Sequence, residues 1–194
     1  FVIDLQNMLD NIEEEITEFW PRNKTITPDD VRGSSETLSR AVQEKGWPLL
    51  EDSRGKAIFI LLSSGDLREN YHEKFPGLND SRMFTMSEVG TPEAAIFSNT
   101  DPLGNGDEII ALIEEGYIVR SRADNAENGE ADNNDTSRRD AAISVGAHSI
   151  STDYPAKVDG IDYWVEIPNG NPVACNPISA PNDCTSERIE SLND

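Results

Sequence analysis

The segment 116–124 (GYIVRSRAD) concentrates residue types that can handle a phosphate. Successive side chains of a strand point to opposite faces, so Arg120 and Arg122 share one face, and Asp124 joins them if the strand continues. Guanidinium groups present forked N–H donors that match phosphate oxygens. In so acidic a chain, two arginines at a strand's C-terminal end would form a local cationic patch. A second reading stays open on chemistry alone, in which both arginines are paired with nearby carboxylates for structure. Ser151-Thr152-Asp153-Tyr154 closes another short apolar run. Ligands of parallel α/β folds bind where strands end, so Asp153 and Tyr154 could hold a substrate hydroxyl or orient an imidazole. The same residues also make a serviceable turn.

Acid–base chemistry is thinly supplied. Only His72 and His148 titrate near neutral pH. The run 148–151 reads as a buried strand, where a hydrogen-bonded structural role is favoured for His148. His72, beside Tyr71 and Lys74, is expected in a surface loop. The chain has no G-x-S-x-G, phosphate loop, H-E-x-x-H or CxxC pair. The stretch 124–135 (DNAENGEADNND) invites comparison with a calcium loop, since Asp124, Asn128, Gly129, Asp132 and Asp135 fall at its first, fifth, sixth, ninth and twelfth positions. Ala126 occupies the third position, and no long helix pair flanks the stretch. A solvated surface loop is therefore expected, with a calcium contact by Asp124 left open.

The elements that must position these residues follow from periodicity. Leu5, Leu9, Ile12, Ile16 and Phe19 recur at helical spacing up to Pro21. Thr27-Pro28-Asp29-Asp30 reads as an N-cap, Pro at the first helical position and acids in the first turn. A short helix is predicted over 36–44. The run 56–62 (KAIFILL) reads as a strand buried on both faces, and 93–97 as a weaker strand. Residues 107–115 read as a helix capped by Gly116, followed at once by strand from 117. Residues 137–145 read as a helix capped by Gly146, with 163–167 a last strand. Strand–helix alternation with short connections predicts an α/β fold with parallel strands.

The chain has 194 residues, 16 basic and 37 acidic side chains and a net charge of −21. Such a surface repels phosphate backbones and anionic bilayers, which argues against nucleic-acid binding and allows at most peripheral membrane contact. Hard divalent cations suit it better. No apolar run approaches the roughly 20 residues of a membrane span. Residues 1–20 carry too many acids for a signal peptide, so the chain is expected to begin after processing or partway through a larger gene product. Cys175 and Cys184 read as two independent thiols or as a disulfide closing a short C-terminal loop. Three N-x-S/T sequons, at Asn23, Asn79 and Asn134, lean towards a secreted, extracellular protein.

Five phrases together resemble the calcium-dependent phosphoinositide-specific phospholipase C family of secreted bacterial and fungal enzymes. They are ITPDDVRG (26–33), GWPLLEDSRGKAIFIL (46–61), GYIVRSRAD (116–124), RRDAAISVGAHSISTDY (138–154) and CNPISAPNDC (175–184). The resemblance implies a TIM-barrel-like phosphodiesterase fold, of which 1–167 would form an incomplete C-terminal part, with 168–194 a loop-rich tail holding a Cys175–Cys184 disulfide. It implies cleavage of phosphatidylinositol, or another phosphodiester lipid, to diacylglycerol and inositol phosphate, with Ca²⁺ as cofactor. The family's catalytic His pair and main calcium ligands would lie in an N-terminal half outside this segment, leaving these residues inactive by themselves. Lys56, Arg120, Arg122, Asp153 and Tyr154 match substrate-binding positions, and Asp124 is the candidate metal contact. Two departures stand out. His148 replaces an amide, which makes it a poor catalytic candidate, and Ala174 replaces an Arg before the first Cys. The alternatives are a glycerophosphodiester phosphodiesterase and a non-catalytic half-barrel that binds polyols or another chain; otherwise no partner protein is evident.

Overall fold

The amphipathic spacing of the first twenty residues forms α1 (Leu5–Phe19) in the computed structural model, which describes residues 4–167, 170 and 173–190. Asp4 caps the helix by accepting the Asn7 N–H at 3.1 Å, satisfying a donor the first turn leaves free. Only Leu9 of the apolar stripe is fully buried, and Phe19 stays 73% exposed. Polar contacts complete the packing against α5 (Asp66–Lys74): Lys74 pairs with Asp10, and the Tyr71 hydroxyl donates to Glu13. Packing divides the chain into two units, Phe1–Phe97 and Ser98–Asp194. The change of character expected after residue 167 adjoins residues 168 and 169, which lie outside the described ones.

In the first unit, α2 (Pro28–Arg32) starts as its sequence predicts, with the Thr27 N–H donating to Asp30 at 2.8 Å. Helices α3 (Leu38–Glu44) and α4 (Leu50–Ser53) follow. Strand β1 (Phe59–Leu61) pairs in parallel with β2 (Met83–Thr85), Phe59 opposite Met83 and Leu61 opposite Thr85. The expectation of a strand over 56–62 buried on both faces is corrected here. Three residues form the strand, Leu61 is buried, and Ile60 and Leu62 are 39% and 58% exposed. Neither β2 nor α5 is predicted by periodicity. The helix α5 is almost wholly polar and turns only Tyr71 fully inward, while Asp66 and Glu69 in its first turn and Lys74 in its last complement the helix dipole.

The second unit repeats one device twice. Helix α6 (Gly106–Glu114) runs into β4 (Ile118–Arg122), and α7 (Ser137–Ser144) runs into β5 (Ser149–Ser151). At the first junction Gly116 N–H bonds Ile113 C=O and Tyr117 N–H bonds Leu112 C=O. At the second, Gly146 N–H bonds Ile143 C=O and Ala147 N–H bonds Ala142 C=O. This paired pattern needs a left-handed residue, and Gly146 supplies it at φ 75°. Strand β4 lies between β5 and β3 (Ile96–Ser98), and pairs with β5 in parallel, Arg120 opposite Ser149 and Arg122 opposite Ser151. Ile109, Leu112, Val119, Ala142 and Tyr163 form the buried interior of this unit. These short parallel sheets interleaved with helices are an α/β arrangement.

Residues 163–167 do not form the predicted strand. The Tyr163 side chain turns inward, Val165 N–H makes one bond to Tyr154 C=O at 2.9 Å, and Arg139 takes the Trp164 carbonyl, so no ladder propagates. The C-terminal segment does carry the expected disulfide between Cys175 and Cys184. Asn176 docks this loop on the turn after α7 by donating to Gly146 C=O at 2.6 Å.

Candidate functional site

Strand β4 alternates as its sequence requires. Val119 and Ser121 are buried on one face, while Arg120 and Arg122 lie half-buried on the other. The neighbouring strands bring hydroxyl-bearing residues alongside. Arg120 donates to Ser98 Oγ at 3.0 Å, and Ser149 and Ser151 are the register partners of the two arginines on β5. Arg120 pairs with no carboxylate among the described residues. Arg122 has one, Asp153, at 3.6 Å. Its Nε is buried and meets no acceptor. Burial, and behind it the neighbouring Arg122 cation, lowers the Arg120 pKa from its ordinary value. Two like charges thus share one face, with an orphaned donor between strand and solvent. That is the electrostatic complement of a small anion.

Asp124, two residues after β4, is 2% exposed. It accepts hydrogen bonds from the Thr152 hydroxyl, from the Asp153 N–H at 3.0 Å and from the Tyr163 hydroxyl at 3.4 Å. These donors fasten the turn that follows β5, and the turn carries exposed Asp153 towards Arg122. Tyr163 also donates to Ala123 C=O at 2.9 Å and receives Tyr154 edge-on, ring centroids 5.6 Å apart. Burial, reinforced by the Asp124 charge, raises the Tyr163 pKa. Arg120, Arg122, Asp124, Asp153 and Tyr154 are therefore brought into one neighbourhood in the second unit. Lys56 belongs to the first unit, exposed at the N-terminal end of β1. Ligands of parallel α/β folds collect at the opposite, C-terminal ends.

Sequence reasoning missed Ser98, Thr152 and Tyr163. Only Thr152 had a local signal, inside the Ser-Thr-Asp-Tyr turn. The stretch 124–135 is a largely exposed loop, as expected, but it is organised around a buried carboxylate. Glu130 is buried within it and accepts from Asn125 N–H and Asn128, and from Arg138 at 2.8 Å. Burial alone would raise the Glu130 pKa, but Arg138 and the amide donors outweigh it and hold it below the usual carboxylate range. No group of three or more His, Cys, Asp or Glu able to hold a metal ion gathers among the described residues. With every contact of the Asp124 carboxylate made by a donor, these residues do not fit a calcium site.

The two histidines also differ from expectation. His148 is not within a buried strand: it precedes β5 at the surface, with Nδ1 accepting the Val119 N–H at 3.2 Å. Burial of that ring edge lowers its pKa. His72 is not in a loop but on α5, half-buried, with Nε2 2.9 Å from the Thr85 hydroxyl. Burial lowers its pKa; Glu93 opposes this and Arg68 adds to it.

Arg120 and Arg122 thus share one face of a parallel strand in an α/β fold. The chain belongs to the phosphoinositide phospholipase C, Ca²⁺-dependent, family, whose family model matches residues 3–177. Comparison with curated proteins and with solved structures gives no match. No helix among the described residues is long and apolar enough to cross a membrane.

Proposed function

We propose that the protein is a phosphodiester hydrolase of phospholipase C type that cleaves phosphatidylinositol, with Arg120 and Arg122 holding the phosphate. The observation that carries this reading is the pair of half-buried guanidinium groups on one strand face, Arg120 without a carboxylate partner among the described residues and Arg122 with an orphaned Nε. In a chain with 37 acidic side chains, leaving these cations so lightly compensated favours an exogenous anion over structural pairing. The neighbouring inositol hydroxyl attacks phosphorus and loses its proton to a general base. The diacylglycerol oxygen leaves with the P–O electron pair and takes a proton from a general acid. Arg120 and Arg122 offset the charge that grows on the non-bridging oxygens, and Asp153 holds Arg122 in place. The parallel α6–β4 and α7–β5 units support a barrel-like phosphodiesterase fold, with this site at its C-terminal rim.

A second reading, a binding protein without turnover, has its own observation. His148 is the only imidazole of the second unit, and its Nδ1 is committed to Val119. Titration with inositol 1-phosphate, followed by assays on phosphatidylinositol and glycerophosphoinositol, separates the readings. Arg120→Ala and Arg122→Ala are each expected to weaken inositol phosphate binding at least about tenfold, and to lower turnover by a similar factor. Hydrolysis of glycerophosphoinositol alone would indicate a glycerophosphodiester phosphodiesterase. Binding without hydrolysis of either by the full-length gene product would favour the binding protein. Unchanged affinity in both variants would remove the site.

A further inference from the structure

The sequons Asn23-Lys24-Thr25, Asn79-Asp80-Ser81 and Asn134-Asp135-Thr136 take no part in phosphate handling, and the structure sets them apart from one another. Asn134 is exposed in the turn before α7, in the left-handed region at φ 49°, a conformation Asn tolerates. Asn23 is exposed in the Arg22–Lys24 turn of 3₁₀ helix. Neither carboxamide makes a hydrogen bond among the described residues, so both Nδ2 atoms project freely to solvent. Asn79 differs. Its Nδ2 donates to the Pro76 carbonyl and lies 3.2 Å from where a side chain on Gly77 would begin, folded onto its own turn. A second, independent observation concerns the compartment. Both cysteines of the chain are joined in one disulfide, which forms and persists where conditions are oxidising, as in a secretory lumen.

We propose that Asn23 and Asn134 carry N-linked glycans, acquired on a secretory route. The donor is a polyprenyl-diphosphate-linked oligosaccharide. The Asn Nδ2 forms a bond to the anomeric carbon, the anomeric C–O bond breaks, the diphosphate leaves with the electron pair, and one carboxamide proton is released. The hydroxyls of both sequons are engaged once the chain has folded. Thr25 is 3% exposed and donates to Pro21 C=O at 3.2 Å, and Thr136 donates to Asp140 at 2.8 Å. Transfer therefore precedes folding, and the folded chain needs only to house the product. Exposed carboxamides at 23 and 134 do so without disturbing a contact, whereas a glycan on Asn79 displaces one, so the proposal does not extend to that position.

The test is peptide mapping by mass spectrometry on protein recovered from the culture medium of its own host, before and after treatment with a peptide N-glycosidase. Peptides containing Asn23 and Asn134 are expected to carry hexosamine-containing oligosaccharide, and to be converted to Asp on release. Asn134→Gln and Thr136→Ala should each remove one glycan's mass from the intact protein, because one deletes the acceptor and the other only the sequon. Unmodified asparagine at either position in the secreted protein would overturn the proposal, as would a Thr136→Ala protein that keeps its glycan at 134.

Discussion

A buried N–H that meets no acceptor leaves a desolvation penalty of about 1–3 kcal/mol, and at Arg122 Nε an anion would remove it. Binding of inositol phosphate should therefore raise the thermal midpoint of the wild type more than that of Arg122→Lys, since a lysine supplies charge without the forked donors. Equal shifts in both, read by scanning calorimetry, would show that charge alone matters. The histidines carry a separate prediction. Both folded-state pKa values lie below the ordinary value of about 6.5, so the unfolded chain takes up the proton first. Their contribution to stability is present above about pH 6.5 and is lost as pH falls towards the folded values. Urea midpoints at about pH 7.5 and about pH 5.5 should differ less in a His72→Gln/His148→Gln double variant than in the wild type. An unchanged difference would acquit both residues. At this scale the arginine face was legible, because period-two alternation is local. The surroundings of His72 and His148 were not, because Thr85 and Val119 reach them across the fold.

Elements were legible where a stop signal matched a periodic stretch. Gly116 and Gly146 end α6 and α7, and each paired turn launches a strand directly, which is how the predicted helix–strand units came out in place. A side chain at Gly146 would meet Asn176 Oδ1 at 2.8 Å and Ile178 Cγ1 at 2.9 Å, on a backbone at φ 75°. Gly146→Ala should thus destabilise the protein by about 1–3 kcal/mol in urea unfolding and loosen the disulfide loop; a loss below the noise of the method would mean that the loop simply moves aside. The Glu130–Arg138 pair organises the polar stretch between β4 and α7. Its side chains are 7% and 14% exposed, so Arg138→Ala strands a buried carboxylate and should cost about 3 kcal/mol. Denaturation curves that overlay the wild type would refute that. Strand β2 and helix α5 escaped the sequence because three residues are too few for a period, and α5 buries only one residue fully.

For the whole molecule, the net charge of −21 opposes compaction through self-repulsion. Raising ionic strength from about 0.01 M to about 0.15 M shortens the Debye length from about 30 Å to about 8 Å and should raise the urea midpoint. A fall would mean that attractive surface pairs such as Arg22–Asp30 outweigh the repulsion. The same charge predicts no adsorption to anionic vesicles that lack phosphoinositide, so any grip on a lipid headgroup must come from a few placed cations. The sequence by itself determined the α/β class, the caps at Thr27, Gly116 and Gly146, and the shared face of Arg120 and Arg122, since these rest on spacing along the chain, while five phrases carried the resemblance to the family. Only the tertiary structure decided which arginine is left without a carboxylate among the described residues, that buried Asp124 accepts from Thr152, Asp153 and Tyr163, and that Lys56 stands in the other unit. Those outcomes depend on partners distant in sequence, such as Ser98, Thr152 and Tyr163, which no local pattern brings together.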